Sequence, residues 1–271
     1  MIHAHGGNEL EYYQFASRLE DDQPVYALQA RGLDGNLKKG ESLEMIAAAY
    51  VKDFQTFQPH GPYFLGGFCF GGLLAYEAAQ QLTRAGEEVA LLVLIQTTHP
   101  AQDHFREDVG LLRQWWYRGT TRLAIEIERI LSGERGYLKE RYGQIVDVMR
   151  GKTALVLNRV LSEQRSHSAV PSASFVSELM KAEHDRVADA YEPQPYGGNV
   201  LLIRVRNLLP GVVADSIFLG WKDLLGGNVD LCELPGHQQT LMLEPNVSSL
   251  ARAVTAHLNE LQERRSAAPS A

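Results

Sequence analysis

A cysteine lies at the centre of the stretch GGFCFGG, where an apolar run meets a run with helical periodicity. Gly67 and Gly71 flank Cys69 two residues away on either side, which is the G-x-S-x-G spacing of a nucleophile elbow with sulfur in place of oxygen. Such a turn directs a helix N-terminus and the N–H of Phe70 at the reaction centre. We predict nucleophilic catalysis by Cys69, with the Phe70 N–H as an oxyanion donor.

The thiol needs help from its surroundings, because a free cysteine with a pKa of ~8.5 is mostly protonated at neutral pH. The helix N-terminus and the Phe70 N–H should both lower the pKa of Cys69. Cys232 is the only other cysteine, and the strand pattern around it predicts lower reactivity. The alternative interpretation of Cys69 is a structural cysteine in a tight glycine-rich turn.

A second oxyanion donor is predicted near the start of the chain. Sheets with a nucleophile elbow take this donor from the loop after an earlier strand, and HAHGGN at residues 3–8 is glycine-rich and suitably placed. The backbone N–H groups of Ala4 and His5 are the candidates. Glycine pairs also occur in ordinary tight turns, which is the alternative.

Short apolar runs alternate with amphipathic runs through the first hundred residues, which predicts β-α units around a parallel sheet. The predicted strands are Pro24–Leu28, Tyr63–Gly66, Val89–Ile95, Asn199–Arg204 and Asn228–Leu234, and the predicted helices are 42–57, with Ser42 as its N-cap, 70–85 and 247–264. Cys69 then lies at the strand-to-helix turn of a βαβ crossover.

One domain covering residues 1–271 is expected, because a chain of 271 residues with 45% hydrophobic content can bury one large core. Residues 101–193 have helical periodicity with few strand signals, which predicts a helical insertion. We expect the insertion to border an apolar channel on the ligand side of the sheet. The tail at about 265–271 is predicted to be disordered.

The charge balance argues against nucleic-acid or anionic-membrane partners, because 26 basic residues face 33 acidic ones for a net charge of −7. The two cysteines are far apart in sequence, so no disulfide framework is expected, and a reduced thiol fits the cytoplasm. The start, MIHAHGGNEL, lacks a signal-peptide pattern, and the longest apolar run is too short to span a bilayer.

Four motifs in this order resemble the thioesterase domain that ends nonribosomal peptide and polyketide synthases: HAHGGN, YALQARGLDG, GGFCFGG and LPGHQQTLMLEPNV. The resemblance implies an α/β-hydrolase fold, with the insertion as a lid over the acyl channel. It also implies release of an acyl chain from the phosphopantetheine thioester of an acyl or peptidyl carrier protein through an acyl-enzyme. No metal and no dissociable cofactor are expected.

The acid position departs from the family pattern. The family carries an aspartate at the end of the strand after the elbow helix, where VALLVLIQTTHP has Gln96. An amide cannot stabilise an imidazolium by charge, but cysteine enzymes tolerate an amide that orients their histidine. Gln96 is therefore predicted as the orienting group. Asp215 or Asp223 as a displaced carboxylate is the alternative.

The base position also departs, because the family pattern P-G-x-H is here Pro235-Gly236-His237-Gln238, with the histidine one residue early. We predict His237 as the base, on the premise that the loop rotates by one position. Three lesser candidates for the base are His99, His3 and His5.

The predicted function is a thioesterase that carries its acyl, polyketide or peptidyl substrate on Cys69 and releases it by hydrolysis, cyclisation or transacylation. A thioester intermediate reacts more readily with amines, thiols and alcohols than an ester does. The rival hypothesis is a non-catalytic, thioesterase-like module that docks a carrier protein. The altered acid and base positions favour this rival, and the intact elbow opposes it.

Overall fold

The structure is a computed structural model, and it describes residues 1–20, 22–33, 40–102, 113, 116, 119–120, 123, 173–206 and 217–267. Four strands form a parallel sheet: β1 (Tyr63–Phe68), β2 (Val89–Ile95), β3 (Val200–Val205) and β4 (Val229–Leu234). They lie side by side in the order β1-β2-β3-β4. Their carboxyl ends therefore meet along one edge, where Cys69 and Gln96 follow β1 and β2 directly.

Helices pack on both faces of this sheet. They are α1 (Tyr13–Ala16), α2 (Leu43–Phe57), α3 (Phe70–Arg84), α4 (Ala173–Asp189) and α5 (Asn246–Ala267), with 3-10 turns at Glu9–Tyr12, Pro100–Gln102 and Gln238–Thr240. Ser42 caps α2, as predicted, by accepting a hydrogen bond from the N–H of Met45 at 3.4 Å. The predicted βαβ crossover is present as β1-α3-β2.

The hydrophobic core has two layers, one on each side of the sheet. Leu92 and Leu94 of β2 pack in the layer that includes Leu74 of α3. Val93, which points to the opposite face, packs in the layer that includes Val254 of α5. All seven residues of β2 are buried, as expected for a central parallel strand covered on both faces. The strands that position the site are thus held from both sides.

The prediction of a strand at Pro24–Leu28 was wrong, because only Leu28 is paired. Ile2 forms parallel bridges to Leu28 on one side and to Gly67 on the other. The Leu28 N–H donates to the Met1 carbonyl at 2.9 Å. Pro24 has no N–H to donate, and the extended segment lies outside the four-stranded sheet. A single bridge therefore replaces the predicted strand.

Part of the predicted insertion is described. Helix α4 lies within residues 101–193, in agreement with the predicted helical character of the insertion. Most of the remaining insertion lies outside the described residues. The lid and its apolar channel stay a prediction. Helix α5 continues to Ala267, so residues 265–267 belong to a helix rather than to the predicted disordered tail, and residues 268–271 lie outside the described part.

Within these described ranges, no helix combines the length and apolar character that crossing a membrane requires. Nor do any three histidine, cysteine or acidic side chains of the described residues gather as metal ligands would.

Candidate active site

Cys69 occupies a strained turn between β1 and α3. Its φ of 53° and ψ of −119° lie outside the regions that side chains ordinarily adopt. Such a conformation costs on the order of 1–3 kcal/mol and persists only where the surroundings enforce it. Here the Cys69 N–H donates to the Ile95 carbonyl at 2.9 Å, and its carbonyl accepts from the Gly72 N–H at 3.0 Å. The predicted elbow geometry is therefore present.

The flanking glycines allow three segments to pack against one another at the elbow. A Cβ on Gly67 would overlap the backbone of Gly71, and a Cβ on Gly71 would overlap the carbonyls of Ile2 and His3. Helix α3 thus begins directly against both β1 and the start of the HAHGGN loop. This close approach brings both sets of predicted oxyanion donors, Phe70 and the loop residues, to the same end of the sheet.

The side chain of Gln238 reaches the sulfur of Cys69. The Gln238 Nε2 atom lies 3.4 Å from Cys69 Sγ and donates a hydrogen bond to it. An amide therefore contacts the sulfur from the position at which the family pattern has its histidine, and the role of His237 as the base stays a prediction.

The register of this loop is fixed by its own hydrogen bonds. The His237 N–H donates to Thr240 Oγ1 at 3.2 Å, and the 3-10 turn Gln238–Thr240 begins immediately afterwards. Gly236 has a φ of 93°, and a Cβ there would meet the side chain of Asn246. With both ends of the turn held, His237 cannot exchange places with Gln238 without breaking these contacts.

The Gln96 amide is bonded within the sheet. Its side-chain Oε1 accepts the N–H of Val205 at 2.7 Å, the backbone N–H of Gln96 donates to the Ile203 carbonyl at 2.7 Å, and the residue is only 3% exposed. The geometry therefore does not support the predicted role of Gln96 as the orienting partner of His237. Gln96 instead ties the end of β2 to the end of β3, and it does so with a positive φ of 44°.

The HAHGGN loop lies beside the elbow, as its predicted role requires. The Ala4 carbonyl accepts from the Gly7 N–H at 2.9 Å and faces Nδ1 of His3 at 2.9 Å. The His5 ring lies edge-on to the Phe70 ring, with 6.1 Å between centroids. Loop and elbow are thus in direct contact, and the backbone of Ala4 and His5 is held in one orientation.

The lesser candidates for the base have other partners. His3 is fully buried, with Nε2 2.7 Å from the Tyr50 hydroxyl, and burial lowers the pKa of His3 to about 4. His5 Nε2 lies 2.9 Å from an Asp185 carboxylate oxygen. The His99 ring packs edge-on to Trp221, and burial lowers the pKa of His99.

The alternative acids, Asp215 and Asp223, stay predictions. Asp223 is exposed, and Asp215 lies outside the described residues. Cys232 is in β4, where burial raises the pKa of its thiol, in keeping with the lower reactivity predicted for it.

A cavity of about 380 Å³ lies at the opposite end of β1 from Cys69. Its lining is mainly apolar and includes Val25, Phe54, Leu65, Val93, Val254 and Leu258. Tyr63 and Phe64, the first two residues of β1, also line it, whereas Cys69 follows the last residue of this strand. Because of this separation, the cavity is not the predicted acyl channel.

Two residues of the site were missed by the predictions. Gln238 could have been identified from the sequence, because it stands at the histidine position of P-G-x-H and the spacing to Glu244-Pro245 is unaltered. His184 of α4 stacks on Phe70 with 4.3 Å between ring centroids. No motif indicated His184, since it lies within the long helical insertion.

A parallel sheet covered by helices, with a strained elbow after its first strand, defines the α/β-hydrolase class of fold. The thioesterase domain family model matches residues 1–190. This chain belongs to the thioesterase domain family, an enzyme family, and the predicted resemblance to the thioesterase domains of nonribosomal peptide synthetases is confirmed.

Individual relatives are similar over different lengths. Malpibaldin synthetase of Mortierella alpina is 41% identical over 97 residues, which are 36% of this chain and 2% of that protein. The structure of holo-AB3403, a four-domain nonribosomal peptide synthetase, matches 94% of this chain and 19% of its own, with 26% identity and a TM-score of 0.68. The NocB thioesterase domain was solved in covalent complex with a fluorophosphonate nocardicin G analog. Its match covers 95% of this chain and 92% of the NocB chain, with 21% identity and a TM-score of 0.64, which supports the fold.

Proposed function

We propose that this domain takes an acyl, polyketide or peptidyl chain from the phosphopantetheine thioester of a carrier protein and holds it as a thioester on Cys69. The observation that carries the proposal is the strained elbow, which presents Cys69 at the N-terminus of the 15-residue helix α3. A helix N-terminus favours negative charge, and the sulfur is reactive as the thiolate. Release of the chain from a synthetase is the activity typical of the family to which the chain belongs.

The acylation step exchanges one thioester for another. The Cys69 thiolate attacks the substrate carbonyl, a new C–S bond forms, and the tetrahedral oxyanion accepts hydrogen bonds from the Phe70 N–H and an N–H of Ala4 or His5. Collapse of this intermediate breaks the bond to the pantetheine sulfur, which leaves as a thiolate and takes a proton from solvent. The proton balance of this step needs no base at the Gln238 position.

Gln238 affects the two steps of the reaction, acylation of Cys69 and hydrolysis of the acyl-enzyme, differently. Its amide donates a hydrogen bond to the Cys69 sulfur, which supports the thiolate, but an amide cannot take a proton from an attacking water. We therefore expect acylation to be faster than hydrolysis of the acyl-enzyme. Amines and thiols attack a thioester more readily than water does, so transacylation or cyclisation remains open beside hydrolysis.

A second candidate function is a non-catalytic module that docks a carrier protein. The specific observation in its favour is the pair of amides at the family's base and acid positions: Gln238 touches the sulfur, and Gln96 is bonded to β3. On this hypothesis the elbow is part of the fold without a catalytic role, and Cys69 accepts no acyl group.

Intact-protein mass spectrometry separates the two functions. The domain is incubated with an acyl-loaded carrier protein or with an acyl N-acetylcysteamine thioester, and the mass is followed over time. We expect an adduct equal to one acyl group in the wild type and in Cys232→Ala, and none in Cys69→Ala. Binding of the carrier protein without any adduct or product would support the docking module. An adduct that survives in Cys69→Ala would reject Cys69 as the acyl carrier.

A further inference from the structure

A buried histidine on α4 contacts both sides of the predicted oxyanion site. His184 is 5% exposed and belongs to the described part of the insertion. Its ring stacks on Phe70 with 4.3 Å between centroids and 17° between planes, and on His3 with 5.3 Å and 20°. Phe70 is the residue after the nucleophile, and His3 opens the HAHGGN loop. One side chain thus joins two segments that are far apart in sequence.

The hydrogen bond of His184 fixes the loop directly. Its Nδ1 lies 2.9 Å from the His5 carbonyl, and because a carbonyl only accepts, Nδ1 carries the hydrogen. Burial lowers the pKa of His184 to about 4, so the ring is neutral near pH 7 and Nε2 is unprotonated. The peptide plane that follows His5 is therefore held against α4.

The preceding peptide plane is held through His3. The Nδ1 of His3 is 2.9 Å from the Ala4 carbonyl, and the N–H of the same trans peptide, which belongs to His5, points the opposite way. His3 in turn is stacked against His184. The orientation of the His5 N–H thus depends on His184 through one intervening ring.

We propose that His184 is a positioning residue that holds the oxyanion donors of Phe70 and the HAHGGN loop in register with Cys69. The proposal rests on the proposed function, in which Cys69 forms an acyl thioester through a tetrahedral oxyanion. Catalytic donors must be held to within a fraction of an ångström to retain their effect. The packing of α4 against the loop and the elbow supplies that rigidity.

Two reactions of Cys69 distinguish oxyanion positioning from a general structural role. Acylation by a thioester passes through an oxyanion, whereas alkylation by iodoacetamide displaces iodide and forms none. His184→Phe keeps a ring to stack on Phe70 and loses the donor, and His184→Asn keeps a donor and loses the stack. We expect each variant to acylate at least about tenfold more slowly, a part of the ~10²–10³ lost when one donor is removed outright. Alkylation should stay within about twofold of the wild type.

His257→Phe is the matched control. His257 is also a partly buried histidine whose Nδ1 lies 3.0 Å from a backbone carbonyl, that of Ala253, but it is on α5. We expect neither reaction to change in this variant. Equal slowing of acylation and alkylation by the His184 substitutions would show a general disturbance of Cys69 and overturn the inference, as would no slowing of either. A wild type that alkylates but never acylates would instead defeat the proposed function, and this inference with it.

Discussion

On the proposed function, the side chain that contacts the Cys69 sulfur determines whether acylation or hydrolysis of the acyl-enzyme is the faster step. Gln238 donates a hydrogen bond at 3.4 Å, a distance suited to a sulfur acceptor. A histidine there would exchange a proton near neutral pH, which a glutamine cannot do. The Cys69 sulfur thus has an amide donor at the histidine position of the family pattern, and the effect of that amide can be tested at this one position.

Gln238→His should shorten the lifetime of the acyl-enzyme. A general base in reach of the attacking water typically contributes about 10²–10⁴-fold, so we expect hydrolysis to rise at least tenfold, with a dependence on pH that follows the new imidazole. Release of free acid and decay of the acyl adduct are followed together by mass spectrometry. The smaller change Gln238→Asn serves as the control for altered packing.

His237→Ala tests the prediction that His237 is the base. Because Gln238 stands at the histidine position of the family pattern and its amide contacts the sulfur, we expect removal of the His237 ring to leave acylation and hydrolysis within about twofold of the wild type. Loss of hydrolysis in His237→Ala, with no gain in Gln238→His, would restore His237 as the base and require the loop to rearrange when substrate binds.

How far the sequence predicted the site differs from residue to residue. The elbow was predictable, because its tight strand-to-helix turn has no room for a Cβ at the two flanking positions, and glycines at that spacing therefore indicate the turn. Gln96 was placed correctly at a strand end, but its side-chain partner depends on the exact position of β3, which sequence does not specify. The contact between Gln238 and the sulfur was not predicted, because a one-residue register is decided by hydrogen bonds such as that from the His237 N–H to Thr240.

At the scale of elements, the start of α3 depends on the absence of side chains. Gly72 is in the first turn of α3, and a Cβ on it would overlap the side chain of Thr97, which follows β2. Gly197 has open space around its own hypothetical Cβ. Comparing alanine substitutions at these two glycines therefore distinguishes the cost of a steric overlap from the other effects of adding a methyl group.

Gly72→Ala should destabilise the fold by about 1–3 kcal/mol, the usual cost of overpacking, in spite of alanine's better helix propensity. Gly197→Ala should change stability by less than about 1 kcal/mol. Urea unfolding of both variants provides the comparison. If Gly72→Ala proved as stable as the wild type, the contact between α3 and the residues after β2 would be looser than the structure gives it.

The elements themselves were largely predictable, since burial imposes a pattern on them. The strand Val89–Ile95 was predicted with the bounds it has, because a strand covered on both faces is a continuous apolar run bounded by polar residues. Pro24–Leu28 has a similar composition but is paired at Leu28 alone. Strand propensity describes a segment that can pair, whereas pairing depends on the backbone beside it.

At the scale of the whole molecule, the domain corresponds to a small part of much longer proteins. The matched segment is 2% of malpibaldin synthetase, and this chain covers 19% of the holo-AB3403 structure. What the fold supplies is a rigid frame of two core layers, with the elbow, the loop and Gln238 meeting at one edge.

The hydrogen bond from the Cys69 N–H to the Ile95 carbonyl has a consequence for amide exchange. Cys69 directly follows β1 and Ile95 ends the paired strand β2, so this amide should become accessible only when the sheet itself opens. We expect its exchange rate to rise with urea as steeply as global unfolding does, whereas the Ser17 N–H, bonded to Tyr13 at the end of the short α1, should exchange through local fraying. Similar, urea-independent exchange at both positions would contradict this. The residue proposed to react fastest at its sulfur is thus expected to exchange among the slowest at its nitrogen.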